Sequence, residues 1–121
     1  MTRILIVDDS PTETHILKGM LEKNGFEIDT ASNGDEGLER ARAQHPDLIL
    51  MDVVMPGLNG FQATRKLTKD PDTASIPVII VTTKDQETDK LWGMRQGASD
   101  YVTKPVTENI LLEKVANALA G

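Results

Sequence analysis

The chain contains no cysteine, which excludes disulfides and thiolate metal sites. Aromatic side chains are nearly as scarce. Phe26, Phe61, Trp92 and Tyr101 are the whole set, so a core has to be assembled from Ile, Leu, Val and Ala. No run of apolar residues is long enough for a transmembrane helix, and nothing resembles a signal peptide. The expectation is a cytoplasmic protein with no direct membrane insertion. Blocks of Lys or Arg are also missing, and thirteen basic against nineteen acidic side chains give a net charge of −6. Nucleic acid is therefore not an expected partner, because the attraction of a basic surface for the phosphate backbone is lacking. No internal repeat or low-complexity linker interrupts the 121 residues, a length that fits one compact domain, 1–121.

What is present is an alternation. Apolar runs at Arg3 to Val7, Phe26 to Ala31, Leu48 to Met51, Val78 to Val81 and Asp100 to Val102 read as strands. Between them lie helices with start signals. Ser10, Pro11 and Glu13 supply an N-cap, a first-turn proline and a capping-box partner ahead of an Ile16, Leu17, Met20, Leu21 stripe, and Gly25 stands where a C-terminal glycine belongs. A second helix is predicted from Asp35 to Ala43 with a Glu36–Arg40 pair, and a third from an Asn59–Gln62 capping box to Lys69. Asp85 is the expected cap of a fourth helix ending before Gly97. Thr107 is that of a fifth carrying Leu111, Val115, Ala118 and Leu119 on one face. Repeated βα units imply parallel strands with right-handed crossovers, hence an α/β fold. A closed barrel needs roughly 200 residues or more, so an open doubly wound sheet is expected.

Parallel strands end on a common edge, where open α/β sheets bind their ligands. The first strand is followed by Asp8 and Asp9, the third by Asp52, the fourth by Thr82 and Thr83, and the fifth by Lys104 and Pro105. Three carboxylates that crowd together repel one another, and a hard divalent cation such as Mg²⁺ is the natural relief. A carboxylate can also act as a nucleophile toward phosphorus, with a metal and an ammonium stabilising the transferring group. The constellation fits phosphoryl transfer onto a protein carboxylate.

The order Asp8-Asp9, then Asp52-Val53-Val54-Met55-Pro56-Gly57, then Thr82, then Tyr101 and Lys104-Pro105 resembles the receiver domain of two-component response regulators over the whole chain. The resemblance implies a flavodoxin-like sheet of five parallel strands in the order 2-1-3-4-5 with five helices, the order known from chemotaxis receivers. Position by position it implies that Asp52 accepts the phosphoryl group and that Mg²⁺, or Mn²⁺ in its place, is held by Asp8, Asp9, Asp52 and the backbone carbonyl of Val54. It implies that Thr82 is the switch hydroxyl, Lys104 the phosphate contact, Tyr101 the switch aromatic, and the Lys104–Pro105 bond cis. The phosphoryl donor would be a chemotaxis-type histidine kinase, and the receiver would be a monomer without an output domain. The stretches Asp52 to Thr68 and Ile76 to Val106 are similar to small regulators of the chemotaxis-like pathway governing type IV pilus twitching motility. The family also implies a partner surface on the fourth helix, fifth strand and fifth helix, including Leu91, Arg95, Tyr101 and Leu111. Lifetime of the phosphoryl group would be tuned by Val54 and Lys84. Neither has an acidic or amide group to orient attacking water, which implies slow hydrolysis.

Each signal has a plainer explanation. Asp8 and Asp9 alone would serve as a solvated turn, Asp52 as the start of the Pro56-Gly57 turn, Thr82 as an ordinary β-branched strand residue, and Lys104 as a surface lysine. Their joint order decides for a site. Trp92 suits either helix packing or a partner anchor. His15 and His45 are isolated and read as surface residues. Two other functions remain as rivals: a phosphorylation-independent scaffold, and a phosphohydrolase of the haloacid dehalogenase type. The latter needs an Asp-x-Asp nucleophile after its first strand, whereas here Asp8 and Asp9 are adjacent. As a receiver, the chain would act by binding another protein or by draining phosphoryl groups from a sister regulator.

Overall fold

A computed structural model describes all residues from Met1 to Gly121. Five strands and five helices alternate: β1 (Arg3–Val7), α1 (Pro11–Lys23), β2 (Glu27–Ala31), α2 (Gly34–Gln44), β3 (Leu48–Met51), α3 (Gly60–Lys69), β4 (Val78–Thr82), α4 (Glu87–Arg95), β5 (Asp100–Thr103) and α5 (Glu108–Ala120). All strand pairs are parallel and the order is β2-β1-β3-β4-β5. The expected α/β flavodoxin-like sheet is therefore the observed one.

The apolar runs of the three central strands hide a period of two. On one face Leu5, Val7, Ile49, Met51 and Val78 pack with Leu38 and Ala41 of α2 and Ala63 and Leu67 of α3. On the other, Ile4, Ile6, Leu48, Leu50, Ile79 and Val81 pack with Leu17 and Leu21 of α1 and Leu111 and Val115 of α5. Strands buried on both faces have no polar side to show, so they read as continuous apolar segments. A third, smaller cluster of Val53, Ile80 and Ala98 lies toward α4, with Phe61 and Tyr101 against it.

The helix starts hold several of the expected caps. Ser10 accepts from the Glu13 N–H at 3.3 Å, and Asn59 and Gln62 form the reciprocal box. Thr107 accepts from the Ile110 N–H at 3.4 Å, and Gly25 follows α1 at φ +88°. Four details differ. Glu13 does not complete a box at Ser10, because its carboxylate faces Lys104. Arg40 binds Asp29 on β2 at 2.9 Å rather than Glu36, whose carboxylate accepts from the Ser32 N–H. Helix α4 is capped at Gln86, not Asp85, with the Asp89 carboxylate accepting from the Gln86 N–H at 3.3 Å. On α5, Leu119 ends exposed rather than in the buried stripe.

One glycine fixes the approach of α3 to the sheet edge. A β-carbon on Gly60 would run into the backbone carbonyl of Asp52, which cannot yield without moving the strand end. Gly60→Ala is expected to lower unfolding stability by about 3 kcal/mol, measurable by urea denaturation. Gly19, where an added β-carbon meets nothing, is the control and tolerates alanine.

Candidate functional site

The C-terminal ends of β1, β3, β4 and β5 bring the expected residues together. One ligand atom from each of Asp8, Asp9 and Asp52 lies within 4.8 Å of the others. The Lys104 Nζ donates to Asp8 Oδ2 at 2.9 Å and lies 3.8 Å from Asp52 Oδ1 and 3.9 Å from Glu13 Oε2. Its side chain is only 9% exposed. A buried ammonium requires compensating charge, and the three carboxylates around it supply that charge. Glu13 is the residue that sequence reasoning misplaced. Its position in the first turn of the helix leaving the Asp8–Asp9 corner was the available signal, and helix capping competed for the same residue.

The two buried aspartates are held differently. Asp8 Oδ1 accepts from the Ser10 N–H at 2.9 Å while its Oδ2 faces Lys104. Asp52 Oδ1 accepts from the Val53 N–H at 2.9 Å. No buried side-chain polar atom lacks a partner, so the remaining Asp52 oxygen is the one that reaches solvent. Asp9 is exposed, and Val54 beside the site is 57% exposed. Burial, reinforced by the charge of Asp8, pushes the Asp52 carboxyl up to about 6, and Lys104 only partly opposes this.

Thr82 is fully buried, and its hydroxyl accepts from the Lys84 N–H at 3.4 Å. The carbonyl of the same Lys84 accepts from the Tyr101 hydroxyl at 2.7 Å. Burial, with Asp89 and Asp85 nearby, pushes the Tyr101 phenol up to about 12. The Tyr101 ring lies against Gly93 of α4, where a β-carbon would meet ring atoms at 3.0 and 3.1 Å. No sequence pattern pointed to Gly93. The Lys104–Pro105 peptide is cis. Leu91 and Arg95 are exposed and Tyr101 half-buried. Leu111 is not available to a partner: it is completely buried against the sheet, because the apolar stripe of α5 that marked it also turns it inward.

Residues 4–116 match the family model described as the response regulator receiver domain, and the chain belongs to that family. Within it, the sequence is 65% identical over 121 residues to PilH of Pseudomonas aeruginosa, a match covering all of both chains. Among solved structures, a response regulator from Chloroflexus aurantiacus superimposes with a TM-score of 0.95 at 32% identity, covering 99% of this chain and 98% of that one. The receiver domain of a sensor histidine kinase from Pseudomonas aeruginosa, solved with a magnesium ion coordinated in its active-site cleft, gives 0.92 at 27% identity, with coverage of 99% and 98%. No helix of this chain is long and apolar enough to cross a membrane.

The electrostatics of Asp52 have a measurable consequence. A free aspartate ionises near pH 4, as in the unfolded chain, while in the fold Asp52 ionises near 6. Between these values the folded state binds more protons. The carboxyl's contribution is therefore fully present below about pH 4 and lost as the pH rises through about 6, by on the order of 2 kcal/mol. Asp52→Asn, neutral at every pH, is expected to be more stable than the wild type in metal-free buffer at pH 7 and no more stable at pH 4. Urea denaturation with chelator at both pH values checks this; an equal gain at both would point away from charge.

Proposed function

We propose that this receiver takes a phosphoryl group from a chemotaxis-type histidine kinase onto Asp52 and so changes what it binds. The observation that carries this reading is the carboxylate triad of Asp8, Asp9 and Asp52, with Lys104 beside two of them at 2.9 Å from Asp8 and 3.8 Å from Asp52. Three crowded carboxylates suit a hard divalent ion, so Asp8, Asp9, Asp52 and the Val54 carbonyl would hold Mg²⁺ or Mn²⁺. Bound there, the ion would neutralise charge on the incoming phosphoryl group.

The protein's own atoms account for the remainder. The solvent-reaching Asp52 oxygen attacks phosphorus as the P–N bond of the phosphohistidine breaks. The electron pair stays on the imidazole nitrogen, which then takes a proton from water. Lys104, which now donates to Asp8, is within a short swing of the new phosphoryl oxygens. Thr82 turns its hydroxyl toward the same group. Its neighbour Lys84 receives the Tyr101 hydroxyl, so a movement of this loop alters what holds Tyr101. A local change in charge thereby biases the surface carrying Leu91, Arg95 and Tyr101.

The end-to-end similarity to PilH supports reading residues 1–121 as a regulator in a pathway controlling type IV pilus twitching motility, and we take it to act as a cytoplasmic monomer. Net negative charge favours protein partners over nucleic acid.

Two measurements test the proposal. Incubation with acetyl phosphate and Mg²⁺, followed by intact-mass analysis, is expected to give one phosphoryl adduct on the wild type and none on Asp52→Asn; the same adduct on both proteins would sink it. Val54, two residues after the acceptor, and Lys84, two after Thr82, are exposed and non-acidic and should leave the acyl phosphate long-lived. A Val54→Asn, Lys84→Glu double variant is expected to lose its phosphoryl group severalfold faster, followed as loss of the adduct with time.

A further inference from the structure

Helix α3 is charged with one sign. It carries Arg65, Lys66 and Lys69 and no acidic residue, in a chain whose net charge is −6. All three side chains are exposed, and no carboxylate lies within ion-pair distance of any of them, whereas neighbouring Arg42 is paired with Asp70 at 2.9 Å. Helix α4 buries only Gly93 and turns Leu91, Trp92 and Met94 outward, Trp92 at 51% exposure. Trp92 and Gln96, one turn apart, face α3 across a cavity of about 470 Å³ that Asn59, Phe61, Gln62 and Arg65 complete. A second cavity of about 520 Å³ shares Gln62 and Arg65 but lies toward α2, lined also by Leu58, Lys66, Lys69 and the paired Arg42 and Asp70. The groove is braced, since the Thr68 hydroxyl donates to the Gln96 carbonyl at 2.7 Å and the Gln96 amide donates to the Trp92 carbonyl at 3.2 Å.

We propose that the α3–α4 groove, together with the basic outer face of α3 beside it, is a docking site for an acidic peptide segment of a partner protein, which seats an apolar side chain between Trp92 and Phe61 and its carboxylates on Arg65 in the groove and on Lys66 and Lys69 across the helix. An exposed tryptophan beside an arginine is the composition of an interface anchor. Three unpaired cations on an otherwise negative protein set the sign of what they attract. A nucleic acid would meet too few cations before the surrounding negative field repelled it. None of these residues belongs to the acidic site, so the proposal stands apart from the phosphoacceptor reading. The groove is nevertheless backed by the cluster of Val53, Ile80 and Ala98 against which both Phe61 and Tyr101 pack.

Trp92 is the only tryptophan, so its fluorescence reports on the groove directly. The probe is a synthetic peptide with glutamates flanking a Leu-Phe pair, titrated into the full chain, beside a lysine-flanked counterpart. The expected result is a saturable change in Trp92 emission with the glutamate peptide alone, weakened by added salt and weakened about tenfold or more by Arg65→Glu. Amide shifts mapped by NMR should fall on α3 and α4. The Arg65→Glu site is solvent-exposed, so the variant folds, and an unchanged circular dichroism spectrum confirms it. No saturable response, equal response to the lysine peptide, or undiminished binding in Arg65→Glu would each overturn the proposal. Concentration-dependent self-association that Arg65→Glu abolishes would also overturn it, by assigning the groove to a second copy of the chain.

Discussion

An ammonium buried among like-charged carboxylates is the interaction on which the rest of this protein turns. Lys104 enters from the end of β5 and reaches Asp8 at the end of β1, 96 residues earlier in the chain. Without it Asp8 and Asp52 would face each other across a poorly solvated corner, and without them a nearly sealed cation would have no counter-charge. The balance is incomplete. Asp52 stays hard to ionise despite Lys104, so the site is poised to welcome additional positive charge.

Few atoms separate this corner from the surface that carries Tyr101. Lys84 offers its N–H to Thr82 and its carbonyl to Tyr101, and the Tyr101 ring fills the space left by the missing side chain of Gly93. The Thr82 hydroxyl and the Tyr101 hydroxyl are thus held by the same residue, Lys84. Interiors packed to this density respond in discrete steps rather than by gradual deformation.

Much of this was legible in the sequence, for identifiable reasons. Strand identity came through because β1, β3 and β4 are buried on both faces and the principal apolar runs mark them. Capping at Ser10, Asn59 and Thr107 was readable because it is local. What escaped depended on neighbours distant in sequence. Glu36 and Arg40 have the spacing of a helical pair, yet Asp29 on β2 offers Arg40 a better-placed carboxylate. Glu13 has the spacing of a capping box, yet Lys104 lies within reach. Leu111 carried two meanings at once, an element that faces partners and a stripe that faces the core, and the stripe won. The order of the site residues could be recognised, whereas their distances, the solvent-reaching oxygen of Asp52 and the role of Gly93 require three dimensions.

The central strands are apolar on both faces, which leaves their registration weakly marked by polarity along their length. Each nonetheless terminates in a polar group: Asp8 after β1, Asp52 after β3, and Thr82 at the end of β4. A one-residue slip of β1 or β3 toward the sheet would drag an aspartate between two hydrophobic layers, at the cost of burying an unpaired charge. The acidic corner therefore makes the slipped registers costly and favours the native one. A chain that reaches its native pairing has, by the same step, assembled its chemistry.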